Sequence, residues 1–512
     1  MLAEAYSASN MKDQAKSTLE RLLKEFPKSR FKAQVEFRLG QLSASSNDYT
    51  KALSYYDSVL SSTKDKSLMD YATYGKAFVL IQQDQFETAS ELLQPIAIPS
   101  RNDGVGIEAR IAMSICQRQL NRSSDATTLL KQLQKEKLSK DQANNVAYEL
   151  GLAQVASKQI DQAIETFQAL IQTSPQFPLL DKVYYELAWA QKANGDTVKA
   201  NETFRQLTTT YPNSSLAAEA FFHVGQSEYE NSKYDRAIKA YTVAATRSVD
   251  VALLEKSTYK LGWAYFQQQQ YDKAIEQFAK QAKDFPQGTL STDASFMIAE
   301  SLLKLQKYAE AWPQYEVTRS KLESDKSSSV SNQVKSLLYL HGAQAARELK
   351  KWKDVENWVG ALQSSVPDSP HLAVAKYELA YAKQNQKKPL EALQLYSEIA
   401  EEQRNEVGAR SRFMMGEVFF ADREFAKAIS EFQKVMYGYG GTQAPEEIKN
   451  WQARSAFEAG RCSEVLISDQ TGDKRKKAID IAKKFYDFVI NNHETHTLAK
   501  QAQDRIAELG RM

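Results

Sequence analysis

Residues 258–286 read TYKLGWAYFQQQQYDKAIEQFAKQAKDFP, and this stretch contains the pattern that decides the fold. In its second half, apolar residues at i, i+3, i+4 and i+7 predict one stripe of an amphipathic helix: Tyr271, Ala274, Ile275 and Phe278. A matching stripe precedes it, made of Leu261, Gly262 and Tyr265. Small residues at Gly262 and Ala274 would let two antiparallel helices approach closely. The stretch therefore predicts a helical hairpin.

The hairpin pattern recurs along the chain. Nine alanines follow one another at intervals of 37 residues: Ala15, Ala52, Ala89, Ala126, Ala163, Ala200, Ala237, Ala274 and Ala311. We call this position the marker. A small residue commonly lies twelve residues before the marker and a bulky residue four after it, as with Gly225 and Tyr241 around Ala237. After Ala311 the marker position moves to Val355, 44 residues on, and then to Ala392 and Ala428.

The repeat predicts an all-α chain of about thirteen hairpins. Only 19 Gly and 12 Pro in 512 residues favour helix throughout. We expect a first array over residues 1–318, a polar insertion over 319–333 and three further hairpins over 334–440. A divergent final pair and a capping helix are expected over 441–512. Turns such as Asn194-Gly195-Asp196 predict a left-handed glycine followed by an N-cap.

The order of small, aromatic, alanine, bulky and proline positions resembles the tetratricopeptide repeat family over nearly the whole chain. The resemblance implies a right-handed α-α superhelix, a solenoid whose inner groove is lined by the first helix of each hairpin. The connection between hairpins, as in Tyr211-Pro212-Asn213-Ser214-Ser215, is similar to that of bacterial envelope members. The Tol–Pal coordinator and the lipoprotein of the outer-membrane assembly machine are examples. By register the first helix would begin before Met1, so we expect it to be truncated.

In the family, the positions fifteen and eleven residues before the marker tend to face the groove, and we call them the first and second groove positions. They are rich in aromatic residues here, including Phe37, Tyr74, Tyr377 and Phe413 at the first and Phe78 at the second. Tyr and Trp are effective binding anchors. The candidate groove residues are Tyr148, Tyr185, Trp189, Phe222, Tyr259, Trp263 and Phe296. The alternative is that these rings mainly pack against the neighbouring helix.

Histidines and one glycine motif give weaker signals. His223 and His341 share a repeat position where other hairpins have Glu or Lys, so a solvated face is the prediction for both. His493 and His496 lack the HExxH framework of a zinc site. Residues 104–109, GVGIEA, match the dinucleotide fingerprint without a surrounding βαβ unit, so they are predicted to form a connecting loop, with Ala109 at a helix-packing position.

Charge and composition exclude several functions. With 66 basic and 64 acidic residues the chain has no overall field for nucleic acid or anionic membranes, and the run Lys474–Lys477 reads as a solvated face. No apolar stretch is long enough to span a bilayer, and Cys116 and Cys462 suggest neither a disulfide framework nor a zinc site. We expect no cofactor, no metal and no catalysis.

The predicted function is a scaffold that binds a protein or peptide, with an apolar or extended segment favoured because the Lys and Asn pattern of the Hsp70- and Hsp90-binding members is missing. A bacterial cell-envelope role, in the periplasm, and a cytoplasmic adaptor both remain open. Two further alternatives are the interaction arm of a longer enzyme and self-association through an uncapped first hairpin.

Overall fold

The computed structural model describes residues 11–324 and 330–511. These residues form 26 α-helices and one 3₁₀ turn (Gly441–Gln443), and the described part contains no strand. The chain divides into two compact units between Leu254 and Glu255. The expected truncated first helix falls outside the described residues.

The first unit holds thirteen helices. They are α1 Lys12–Glu25, α2 Lys32–Ser45, α3 Tyr49–Ser62, α4 Lys66–Gln82, α5 Phe86–Leu93, α6 Gly104–Gln119, α7 Ser123–Leu133, α8 Lys140–Ala156, α9 Ile160–Thr173, α10 Leu180–Ala193, α11 Thr197–Thr210, α12 Ala217–Glu230 and α13 Tyr234–Arg247.

The second unit follows the same scheme, and the division lies within the first turn of its first helix. Its helices are α14 Val251–Gln267, α15 Tyr271–Asp284, α16 Ser291–Lys304, α17 Tyr308–Ser324, α18 Asn332–Glu348, α19 Trp352–Ser365, α20 Leu372–Asn385, α21 Pro389–Glu402, α22 Glu406–Ala421, α23 Phe425–Gly438, α24 Glu446–Ile467, α25 Gly472–Asn492 and α26 Leu498–Leu509.

In each unit the helices pair into hairpins, and the first helices of successive hairpins also contact one another, as α4 contacts α2 and α6. Each unit is therefore a two-layered stack with the first helices on one side. All twelve marker residues, from Ala15 to Ala428, are fully buried. Thirteen helices, α1 to α25 by odd numbers, occupy the second position of a hairpin. The predicted all-α solenoid is confirmed.

The glycine twelve residues before a marker serves a more specific purpose than close helix approach. A Cβ on Gly262 would lie 2.7 Å from Cε1 of Phe278, and a Cβ on Gly151 would lie 2.3 Å from Cε1 of Phe167. Both rings are fully buried. The glycine thus admits the bulky ring of the second helix into the crossing, because any side chain would occupy the same space.

The turn inside each hairpin repeats one backbone conformation. Gly195 has φ +83°, and the Asp196 side chain accepts a hydrogen bond from the Lys199 backbone N–H, as the sequence predicts. At the equivalent position ten other hairpins hold a residue that is not glycine in the left-handed region: Asn47, Asp84, Asn121, Lys158, Ser232, Gln269, Gln306, Lys350, Lys387 and Arg423. Packing of the two helices therefore imposes a conformation that most of these residues do not favour alone.

Residues of the predicted insertion extend two helices. Helix α17 continues to Ser324 and α18 begins at Asn332, each with 17 residues against the 14 of α15 and α16. In the final pair, α24 and α25 have 22 and 21 residues, and α26 packs against α25.

Candidate binding groove

Rings at the first groove position have one side in the hairpin core. Seven of these rings lie beside the bulky ring four residues after their own marker, with centroid distances from 5.4 Å to 6.5 Å. The pairs are Phe37–Tyr56, Tyr185–Phe204, Phe222–Tyr241, Tyr259–Phe278, Phe296–Tyr315, Tyr377–Tyr396 and Phe413–Phe432. Packing thus accounts for part of the aromatic pattern, and only the surface that remains exposed can serve binding.

In the first unit, the predicted residues Tyr185, Trp189 and Phe222 gather around His223. The His223 ring stacks on Phe204 at 4.7 Å and lies edge-on to Trp189 at 5.0 Å. Tyr185, Trp189 and Phe222 are half-buried. Tyr148, also half-buried, lies apart from this cluster, with its ring 6.3 Å from Phe177.

The prediction of a solvated face for His223 and His341 is wrong. Only 11% of the His223 side chain is exposed, and Nδ1 of His341 lies 2.8 Å from Oε1 of Glu300 on the preceding first helix. The same repeat position holds Glu378, which pairs with Arg347 of the preceding first helix at 2.8 Å. The position faces a neighbouring helix because a first helix packs against helices of the adjacent hairpin as well as against its own hairpin partner.

In the second unit, Tyr259 and Trp263 are half-buried and their rings lie 6.4 Å apart. Phe296, by contrast, is only 7% exposed and belongs to the main hydrophobic core of that unit. Phe296 therefore presents almost no surface to a partner in this conformation.

A cavity of about 670 Å³ lies in the first unit. It lies on the first helices α2, α4, α6 and α8. Five aromatic side chains line it: Phe37, Tyr56, Tyr71, Tyr74 and Phe78. Tyr71 and Phe78 are each 43% exposed, so they offer apolar surface directly. We call this cavity the aromatic groove.

The position of each ring in the repeat explains which of them could be predicted from the sequence as groove residues. Phe37, Tyr74 and Phe78 occupy groove positions in the repeat, although the candidate set began further along the chain at Tyr148. Tyr71 lies eighteen residues before its marker, one helical turn before Tyr74, at a position that the repeat pattern does not indicate as part of the groove. Its ring lies 6.4 Å from that of Phe37 in the preceding hairpin. A residue at this register faces the first groove position of the hairpin before it, which only the stacking reveals.

Missing side chains keep the aromatic groove open. A Cβ on Gly75 would lie 2.6 Å from Cζ of Tyr56, so the glycine lets that ring reach the groove floor. At Gly104 a Cβ would meet nothing nearer than the Tyr71 hydroxyl at 3.9 Å. Side chains at these two positions would therefore fill or displace the floor and rim of the cavity.

The prediction that the GVGIEA motif forms a connecting loop is wrong. Helix α6 begins at Gly104, because the Asp103 carboxylate accepts a hydrogen bond from the Gly106 backbone N–H at 2.8 Å. Glycine at Gly106 is required, since a Cβ there would lie 2.6 Å from the Arg101 carbonyl oxygen. Ala109 is fully buried, as predicted. The motif thus forms a capped helix start, and Gly104 and Val105 line the aromatic groove.

The aromatic groove has one carboxylate in its lining. Glu108 is the only charged residue among the described residues that line it, together with the uncharged Gln41, Ser45 and Gln142. Oε1 of Glu108 accepts a hydrogen bond from Nε2 of Gln142 at 3.2 Å. Burial, with Glu108 nearby, raises the pKa of Tyr74 well above its usual range, so its hydroxyl stays protonated.

The two cysteines are buried, and so are their thiols. Burial raises the pKa of the Cys116 thiol to about 11 and that of Cys462 to about 12, so both are protonated at neutral pH. No group of three His, Cys, Asp or Glu in these residues could hold a metal ion. Nε2 of His496 lies 2.9 Å from Oδ1 of Asn450. None of the described helices is both long and apolar enough to cross a bilayer.

Three family models match parts of the sequence. The model described as a tetratricopeptide repeat-like domain matches residues 2–100, and that of an outer membrane lipoprotein matches residues 140–249. The model of subunit 3 of the anaphase-promoting complex, or cyclosome, matches residues 244–318. No curated protein sequence matches the chain.

Several solved structures match the chain at low identity and low TM-score. A tetratricopeptide repeat protein from Parabacteroides merdae is 14% identical, with 51% of this chain and 95% of that chain covered and a TM-score of 0.39. Yeast Tom70 is 14% identical, with coverage of 82% and 95% and a TM-score of 0.30. The Pseudomonas aeruginosa protein pilF is 17% identical, with coverage of 45% and 96% and a TM-score of 0.32. The 37-residue repeat, the stacked hairpins and the three family matches identify the chain as a tetratricopeptide-repeat protein, a scaffold of the protein-interaction type.

Proposed function

We propose that the chain is a non-catalytic scaffold and that the aromatic groove of its first unit binds a segment of another protein. The observation that carries the proposal is the groove itself, about 670 Å³ in volume and lined by five aromatic side chains. Two of them, Tyr71 and Phe78, keep 43% of their surface exposed. Exposed aromatic anchors beside a concave surface are typical of binding sites.

The half-buried cluster of Tyr185, Trp189 and Phe222 supports a second contact area on the first unit. Its rings already pack against Phe204 and His223, so they offer less free surface than Tyr71 and Phe78. We therefore expect the aromatic groove to supply most of the affinity and the cluster to extend the contact. Tyr259 and Trp263 are the corresponding candidates in the second unit.

We also propose that the protein acts in the cell envelope. The match of residues 140–249 to an outer membrane lipoprotein model favours it, together with the form of the connections between hairpins. The alternatives are a cytoplasmic adaptor or the interaction arm of a longer enzyme. Fractionation of the source cells, with detection of the full-length gene product, separates an envelope protein from a cytoplasmic one.

The groove is tested by affinity capture from the source cells with three purified forms. The parent is compared with a Tyr71→Ala/Phe78→Ala variant and with a Val198→Ala/Val249→Ala control. The control removes exposed apolar surface outside the groove, since Val198 and Val249 are 71% and 98% exposed. All three must show the same helical circular dichroism. We expect the parent and the control to capture the partner and the groove variant to lose it. Equal recovery of the partner with all three forms would exclude the groove as the binding site.

A further inference from the structure

The charge at the aromatic groove indicates what kind of side chain it takes. Glu108 makes no ion pair with any described residue, and its carboxylate accepts a hydrogen bond from the side-chain amide of Gln142 at 3.2 Å. No cationic residue lies among the described residues that line the groove. A half-buried carboxylate beside aromatic faces produces a negative potential there, because the face of each ring carries the negative part of its quadrupole.

In the second unit, a positively charged side chain of the protein itself occupies the register that Glu108 has in the first unit. Tyr377 lies fifteen residues before its marker, as Tyr74 does, and Arg410 lies eighteen before the next marker, as Glu108 does. The Arg410 guanidinium carbon lies 4.0 Å from the centroid of the Tyr377 ring and 5.8 Å from that of Trp451. The chain's own cation therefore covers the aromatic ring in that hairpin.

A second arginine continues the pattern in the second unit. The Arg454 guanidinium carbon lies 4.5 Å from the Trp451 centroid and 4.9 Å from that of Phe413, another residue at the first groove position. Guanidinium groups thus fit against the rings on this side of the hairpins. In the first unit the equivalent surface beside Tyr74 has a carboxylate in place of the cation.

We propose that the aromatic groove binds an arginine or lysine side chain from an extended segment of a partner protein. The aliphatic stem of that side chain packs against Phe37, Tyr71 and Phe78, and its charged end meets Glu108. This inference rests on the proposed function and specifies the ligand of the same site. An acidic partner segment is disfavoured, because Glu108 would repel it and no lining cation would offset the repulsion.

The test uses fluorescein-labelled peptides with amidated ends, of the sequence Gly-Leu-Ser-Leu-X-Leu-Ser-Leu-Gly. X is arginine, its neutral isostere citrulline, or norleucine. Fluorescence anisotropy gives the dissociation constant of each for the parent protein, for Glu108→Gln and for a Glu87→Gln control. Glu87 is exposed on α5, outside the groove, so the control makes the same charge change elsewhere.

We expect the parent to bind the arginine peptide at least about tenfold more tightly than the other two, as a charge-assisted contact requires. Glu108→Gln should remove most of that preference without weakening the citrulline peptide, and Glu87→Gln should preserve it. Equal binding of all three peptides, unchanged preference in Glu108→Gln, or no binding of the arginine peptide at about 1 mM would overturn the inference. If all three peptides bind equally but the Tyr71→Ala/Phe78→Ala variant still loses the captured partner, then the preference for a cationic side chain is rejected and the proposed function is kept.

Discussion

The contact between Gly416 and Phe432 gives the sharpest test of how the hairpins pack. Gly416 lies in the interior of α22, and a Cβ there would lie 2.4 Å from Cε1 of Phe432. Carbon atoms pack at about 3.5–4.0 Å, so Gly416→Ala requires a displacement of about 1 Å. Phe432 is fully buried and its other side meets Phe413, with the ring centroids 5.4 Å apart, so the ring has little room to move.

The size of the effect follows from two opposing contributions. Overpacking in a closed core costs about 1–3 kcal/mol of the free energy of unfolding. Replacement of a helical glycine by alanine contributes about 0.5–1 kcal/mol of stabilisation, because it reduces the freedom of the unfolded chain. Gly360→Ala isolates the second contribution, since Gly360 is exposed within α19 and a Cβ there would meet no atom within 4 Å. The two variants should thus differ by about 1–3 kcal/mol.

The assay is guanidinium-induced unfolding followed by far-ultraviolet circular dichroism, with hydrogen exchange to localise the change. Both glycines lie in the second unit, so the same unfolding transition reports on them. Gly360→Ala should raise the midpoint and Gly416→Ala should lower it relative to Gly360→Ala, with faster exchange in α22 and α23. Phe432→Leu should restore part of the loss in the Gly416→Ala background. A Gly416→Ala midpoint equal to or above that of Gly360→Ala would refute the reasoning.

Three other substitutions test the packing and the electrostatics of the first unit. Ala237→Leu should destabilise the protein by about 1–3 kcal/mol through overpacking, because Ala237 is fully buried. Thermal melting compares this variant with Ala169→Leu, a substitution at an exposed site that should not destabilise the protein. Burial raises the pKa of Glu186, so its ionised form opposes folding at neutral pH. Glu186→Gln should therefore raise the melting temperature at pH 7, and the gain should disappear as the pH falls through the folded-state pKa of Glu186. Asp103→Ala removes the cap on the Gly106 N–H and should cost about 0.5–2 kcal/mol, with faster hydrogen exchange at the start of α6; unchanged exchange there would contradict the assignment of the cap.

Much of the aromatic groove was predictable from register, but its charge recognition was not. The repeat places Phe37, Tyr74 and Phe78 at groove positions without reference to any structure. It gives no reason to associate Tyr74 with Glu108, which lies 34 residues further on and belongs to the next hairpin. That association depends on how one hairpin stacks on the next, because only stacking brings two distant first helices side by side.

The histidine result shows the same limit. From one helix alone, the position of His223 and His341 looks solvated because Glu or Lys occupies it in other hairpins. In the structure that position faces the preceding first helix. His341 forms a hydrogen bond with Glu300 of that helix, and Glu378 forms an ion pair with Arg347 of its own preceding first helix. Burial raises the pKa of the Glu378 carboxyl although Arg347 opposes the shift. Charged residues at this register therefore stabilise contacts between hairpins rather than solubilise a surface.

The sequence by itself determined the hairpin and its period, since both follow from local chemistry. An apolar stripe with a period of 3.6 residues specifies each helix, and a small residue opposite a bulky one specifies where two helices cross. Tertiary structure decided the left-handed turns at residues such as Lys158, which has no local preference for φ +62°. It also decided which rings stay exposed, because exposure depends on contacts with the neighbouring hairpin. Phe296 and Tyr259 share one position in the repeat, yet Phe296 is buried and Tyr259 is half-buried.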